Sequence, residues 1–385
     1  MTIRVRELVD VLEAAYPPEL AQDWDAVGLV CGDPAEEVDT VLFAVDATEA
    51  VVTEALEGGA QALVVHHPLL LRGVTGVGVD TAKGALLHRL IRAGCALFTA
   101  HTNADAADPG VSDALAARLG VQVSGPLDAE PECWDKVITT VPVGADSEQV
   151  KAALFAAGAG RFGAYSEAAF TVTGTGQFRP GEGAQPTIGT VDRLKLVRED
   201  RIEVVAPRRR RGEVIAALLA AHPYEQPAYD VLELAPRPSS CGLGRLGELA
   251  QPESLREFAT RVADALPRTV WGVRAAGDPD RVVRSVAMCG GAGDSLLSTV
   301  TRLGADVYVT ADLRHHPADE HLRAGGPALV DVAHWASEQP WCGQAQGVVD
   351  AAFGDKVQTR LSQLRTDPWT LGCGSTSPTP LEPTE

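Results

Sequence analysis

Apolar residues along the chain follow two alternating rhythms. Near the start, Val5, Leu8, Val9 and Leu12 recur at helical spacing. Short continuous apolar runs then alternate with amphipathic stretches. VDTVLFAVDA reads as a strand, TEAVVTEALEGGA as a helix closed by glycines and QALVVHH as a strand, followed by the helix KGALLHRLIRAG and the strand CALFTAHTN. This alternation predicts a mainly parallel sheet covered by helices, an α/β fold.

From about residue 238 the same rhythm returns. RVVRSVAMCGGAG is a strand and turn, DSLLSTVTRLGA a helix, and DVYVTADLRHHPA a strand ending in His315 and His316. GGAQALVVHHPLL and LGADVYVTADLRHHP share a helix stop, a strand and paired histidines before proline, which reads as a degenerate internal repeat. The expectation is two similar α/β lobes, residues 1–125 and 238–360, with strand ends facing one cleft; ligands of open α/β sheets lie beyond the carboxyl ends of strands. Residues 126–237 break the pattern. Two strand–helix–strand units there (KVITTVPV, SEQVKAALFAAG, AAFTVTGTG; RIEVVAP, GEVIAALLAA, AYDVLELA) predict an inserted ferredoxin-like α+β domain. Its glycines 174, 176, 181 and 183 do not open a helix after a strand, so they belong to loops rather than to a dinucleotide fingerprint. The Pro-, Ser- and Thr-containing tail, 361–385, reads as peripheral, especially from Thr366.

The length of 385 residues suits two or three domains, and 45 % hydrophobic content suits a globular chain. No apolar run reaches the roughly 18–20 residues that span a bilayer. The charged N-terminus lacks a signal-peptide core, so the expectation is a cytoplasmic protein with no membrane partner. Seven scattered cysteines without C-x-x-C exclude a disulfide framework and argue against a cysteine zinc site. A net charge of −19 argues against nucleic acid. The one basic run, RRRR at 208–211, reads as a solvated helix start.

The chemistry concentrates at strand ends. His66 and His67 follow VV directly; His101 and Asp105, four apart, follow CALFTA; His334 and Glu338, with the same spacing, follow PALVDVA. Spacing of four puts both members on one face of a helical turn. Imidazole with carboxylate suits Zn, Mn, Fe, Co or Ni rather than Ca or Mg. Six such residues exceed one tetrahedral ion, and two divalent transition-metal ions roughly 3.5–4 Å apart, sharing a carboxylate and a water, fit the count.

WDAVGLVCGD (24–33), VVHHPLL (64–70), AHTNADAADPGVSDALA (100–116) and DVAHWASE (331–338) resemble the signature blocks of the dinuclear metal-centre proteins known as GTP cyclohydrolase type 2 homologs, or Nif-three-like proteins. FGAYSEAAFTVTGTGQFRPGEG, AHPYEQPAYDV and TADLRHHPA are similar to the long bacterial members with an inserted domain. The resemblance implies His66, His67, Asp105, His334 and Glu338 as metal ligands, with His101 as a further ligand or a group beside them. It also implies a ring-shaped homohexamer, and an inserted module similar to small trimeric signalling domains. Ala26 stands where the family usually has asparagine, which bears on substrate contacts and not on the metals.

These readings imply a dinuclear metal-dependent hydrolase acting on a nucleotide. The family name implies opening of the GTP imidazole ring with formate release, and a phosphoesterase would use the same metals. His101 or His316 would supply the proton. The alternative is a non-catalytic metal-binding scaffold or regulatory ring whose inserted domain binds a small effector.

Overall fold

In the computed structural model residues 2–373 are described. They divide into two compact units: residues up to Glu130 together with those from Ser240 onward, and Pro131–Ser239. Among the described residues no helix is long and apolar enough to cross a membrane.

The first unit holds two large sheets. One has five strands in the order Gln358–Leu361, Thr40–Ala44, Ala62–Val65, Ala96–Thr99 and Gly28–Cys31; the first four are parallel and the last runs antiparallel. Its three central strands are buried along their whole length, as their unbroken apolar runs require. The second sheet has six strands, in the order Val273–Ala276, Ala328–Val332, Val307–Ala311, Val282–Ala292, Arg245–Ser254 and Val121–Gly125. The second, third and fourth of these are parallel to one another. Sequence order is not kept between the sheets. Val121–Gly125 joins the second sheet, while the late strand Gln358–Leu361 joins the first.

The helix His334–Phe353 connects the two layers. Trp341, Cys342, Ala345 and Val349 pack with Val41, Phe43 and Val64 against the first sheet, while Ala333 and Ala336 pack with Val307, Val309 and Val330 against the second. Its first turn therefore stands where both sheets can reach it.

The other unit is a four-stranded antiparallel sheet, Ala169–Phe178, Lys195–Pro207, Trp134–Pro142, Tyr229–Glu233, with helices Ala145–Ala156 and Arg211–Ala221. The arginine run starts the second helix, but it is not simply solvated. Arg208 and Arg211 both bond the buried Asp135, at 3.2 and 2.6 Å.

Two expectations need correction. His315 and His316 do not end a strand. The strand stops at Ala311, and the histidines open the helix His315–Arg323. Pro317 is the third residue of that helix, where a missing N–H costs nothing because the first-turn donors have no partner within the helix. The tail is not peripheral at its start: Thr366 Oγ1 donates to Asp46 Oδ2. Residues 374–385, the rest of that tail, lie outside the described residues.

Candidate metal centre

Three strand ends deliver the ligand-type residues. The chain turns sharply after Val65 because the amides of His66 and His67 both donate to Val45 O, at 3.1 and 2.9 Å. Beside it, Ala96–Thr99 leads through Ala100 to His101, which stands at the N-cap of the short helix Thr102–Ala106 and so places Asp105 one turn on. From the other sheet, Ala328–Val332 runs through Ala333 into the long helix, whose first residue is His334 and whose fifth is Glu338.

Each of the four imidazoles is held by its Nδ1. His66 Nδ1 lies 2.8 Å from Ala100 O, His67 Nδ1 2.7 Å from Asp46, His101 Nδ1 2.8 Å from Asp25 and His334 Nδ1 2.6 Å from Asp312. Anchoring one nitrogen to a carbonyl or carboxylate fixes the ring and leaves Nε2 as the ligand atom, the usual support of a metal-binding histidine. Three of the Nε2 atoms converge on Glu338. Its Oε1 is 2.9 Å from His334 Nε2 and 3.6 Å from His66 Nε2, and its Oε2 is 3.1 Å from His67 Nε2. Asp105 Oδ1 lies 3.8 Å from His66 Nε2. Two three-residue groups have ligand atoms close enough to share an ion: His66, His67 and His101, and His67, His334 and Glu338.

The donors fit a cation better than they fit one another. His66 is fully buried, yet its Nε2 has no hydrogen-bond partner, and neither does Glu338 Oε2. Such orphaned buried groups are costly unless something else satisfies them. Burial alone would lower the His67 imidazolium, but Glu338 and Asp46 outweigh it and raise it to about 11. His334 is raised to about 10, again against desolvation, by Glu338 and Asp312. His101 is lowered, first by burial and then by His66, so its ring is neutral at pH 7 with Nδ1–H given to Asp25. Burial and Glu338 push Asp105 up to about 6 against the histidines. A cation among these groups would replace protons and satisfy both orphaned atoms.

Of the expected site residues, His66, His67, His101, Asp105, His334 and Glu338 come together. His316 does not join them. It is exposed in the first turn of its helix, its ring 5.1 Å from His315, with no hydrogen bond to the cluster. The sequence reading missed the anchors Asp25, Asp46 and Asp312, and it missed Gly291. A Cβ at Gly291 would stand 2.4 Å from Glu338 Oε1 and 3.3 Å from His334 Nε2, and its φ is +68°. The signal was the Gly290–Gly291 pair inside the last residues of a strand pattern, where a missing side chain marks close approach. Gly291→Ala is expected to displace the Glu338 carboxylate and to cost about 1–2 kcal/mol of backbone strain. Elemental analysis should find its metal content reduced by half or more, and a wild-type content would refute the cradle.

The Duf34/NIF3 (NGG1p interacting factor 3) profile matches residues 3–368. A Mycobacterium tuberculosis protein named GTP cyclohydrolase 1 type 2 homolog is 58 % identical over 373 residues, covering 96 % of this chain and 98 % of its own. A Bacillus subtilis protein of the same name is 36 % identical over 377 residues, covering 96 % and 99 %. Among solved structures, a Bacillus cereus protein related to NIF3 superposes with a TM-score of 0.76 at 37 % identity, covering 96 % of this chain and 99 % of that one.

Proposed function

The chain belongs to the Duf34/NIF3 family, and we propose that it is a metal-dependent hydrolase whose dinuclear centre acts on a nucleotide, opening the guanine imidazole ring of GTP with release of formate. The observation that carries the metal part is the convergence of three Nδ1-anchored imidazoles, His66, His67 and His334, on one buried carboxylate, Glu338, with a fourth, His101, grouped beside His66 and His67. His66, His67, His101, Asp105, His334 and Glu338 would hold the two ions; His67 lies within reach of both close groups but, with Nδ1 on Asp46, offers one lone pair to one ion. The substrate part rests on the name that the relatives carry.

Two divalent transition ions would supply Lewis acidity and an activated water at neutral pH. The chain's own residues do the rest. Asp25, Asp46, Asp312 and the Ala100 carbonyl orient the ligands, so that little reorganisation is needed when an ion arrives. His101 is better suited to binding than to proton donation, because its one N–H is committed to Asp25. His316 lies exposed outside the cluster and is given no role.

The test is turnover. Metal-loaded protein supplied with GTP should release formate, and chelator should abolish the release. Phosphate or pyrophosphate in place of formate would move the reading to a phosphoesterase. Neither product from any common nucleotide, with metal bound, would sink the hydrolase.

A further inference from the structure

Beside the metal ligands lies a cavity of about 400 Å³, within the range of roughly 300–1,000 Å³ found for small-ligand sites. His67 and His334 form part of its wall with the anchors Asp46 and Asp312, and Trp271, Asp367 and Trp369 line it as well. No lysine or arginine is among its described lining residues. The cavity is therefore a poor seat for phosphate and a good one for a neutral group rich in N–H donors.

Its aromatic wall is preassembled. The Trp271 and Trp369 rings are 6.4 Å apart and inclined at 35°. Trp271 is fixed from behind: its Nε1–H donates to Asp331 Oδ2 at 3.1 Å, and the Arg274 guanidinium lies 4.5 Å from its ring centre. Trp369 keeps 58 % of its surface exposed, an open face for stacking. Two rings inclined at 35° make two walls and not the several-sided cage that aromatic residues form around a compact ammonium, so they suit a flat heterocycle better.

Asp367 supplies the polar half. The residue is 7 % exposed, and its Oδ2 is buried without a hydrogen-bond partner. Burial, with the Asp46 charge and against the pull of Arg365, holds the carboxyl above its ordinary value. A buried carboxylate oxygen with nothing to accept is an incomplete bond, and a ligand bearing paired N–H donors would complete it.

We propose that this cavity seats a guanine-type base, with Trp369 and Trp271 stacking on the ring and Asp367 accepting from its N1–H and 2-amino group. This rests on the GTP reading above and deepens it by assigning the residues that hold the base. Held by that edge, the purine leaves its imidazole edge, with C8, free on the opposite side.

The test uses the full chain and nucleosides without phosphate, so that neither turnover nor metal–phosphate contact is needed. Tryptophan fluorescence titration of metal-loaded protein should show guanosine binding about tenfold or more tightly than inosine, which lacks the 2-amino donor. Trp369→Ala should weaken both by about tenfold. Asp367→Asn carries the decisive readout. An amide accepts from N1–H but donates where the 2-amino group did, so preference should pass from guanosine to xanthosine, whose C2 carries a carbonyl. A merely structural role for Asp367 would lower all affinities alike. Equal binding of guanosine and inosine by the wild type, an unchanged preference in Asp367→Asn, or displacement of guanosine by tetramethylammonium would each overturn the proposal. Guanosine selectivity without formate release would retire the hydrolase and keep the base site. Formate release with no base preference would do the reverse.

Discussion

Replacing Glu338 with alanine is expected to cost the protein at least one of its metal ions and to cut the other's affinity. The carboxylate is 3 % exposed and stands between three imidazoles, with Oε1 near His334 and His66 and Oε2 near His67. Nothing else buried in the cluster carries negative charge to that point: Asp105 approaches only His66, at 3.8 Å, and from a more exposed position. The metal-free protein should suffer as well. His67 and His334 are held protonated largely by Glu338. Removing one partner of a buried ion pair costs about 3–5 kcal/mol when the other stays charged, and here the histidines can shed part of that cost by losing protons. Glu338→Gln separates the two effects, because it keeps the volume and removes the charge. Elemental analysis should show metal lost from both variants, while urea unfolding of metal-free protein should show the larger stability loss in alanine. Two ions per chain retained by Glu338→Ala would remove this carboxylate from the centre.

The ligands were legible because the information is local. A buried strand followed at once by histidine, or a histidine and a carboxylate four apart, predicts placement from a handful of neighbouring residues. The anchors were not legible. Asp46, Asp312 and Asp25 are three among 52 acidic residues, and they meet their histidines across 21, 22 and 76 positions. Strand pairing brings them there, parallel for Asp46 and Asp312 and antiparallel for Asp25. The two HHP stretches show the limit of pattern. In the first, His66 follows the strand end Val65 directly; in the second, Asp312, Leu313 and Arg314 intervene, and the histidines start a helix. The same spacer gives Asp312 its position against His334. In the other unit the strand Lys195–Pro207 extends well before RIEVVAP. Its charged opening carries no strand pattern, but ten pairings with Ala169–Phe178 hold it extended. Cross-strand hydrogen bonding outweighs local propensity in such a strand.

Metal uptake is expected to expel protons and therefore to strengthen as pH rises. In the metal-free protein each of two ligands, His67 and His334, lies between carboxylates at both ring nitrogens. Those partners outweigh the desolvation that would lower the rings and raise them to about 11 and about 10. The sign follows directly. A raised value means that the proton is still held at pH 7, so an ion must displace it from Nε2 before binding. Binding near neutrality should then release about two protons, and apparent affinity should rise by up to about a hundredfold per pH unit until the pH approaches those values. Below about pH 6, protonation of Asp105 should steepen the loss further. Calorimetry with zinc or manganese in two buffers of different ionisation enthalpy counts the protons, and competition against a chelator gives the slope. Asp46→Asn and Asp312→Asn provide the control. Each keeps a hydrogen-bonding group at Nδ1 but removes one of the two carboxylate charges that hold an imidazolium, Glu338 remaining. The onset of the pH dependence should therefore move to lower pH in each variant, while affinity at high pH drops about 10–100-fold through weaker orientation of the ring. A flat pH profile in the wild type would mean that these two imidazoles do not give up protons to the ion, and their place as ligands would have to be abandoned.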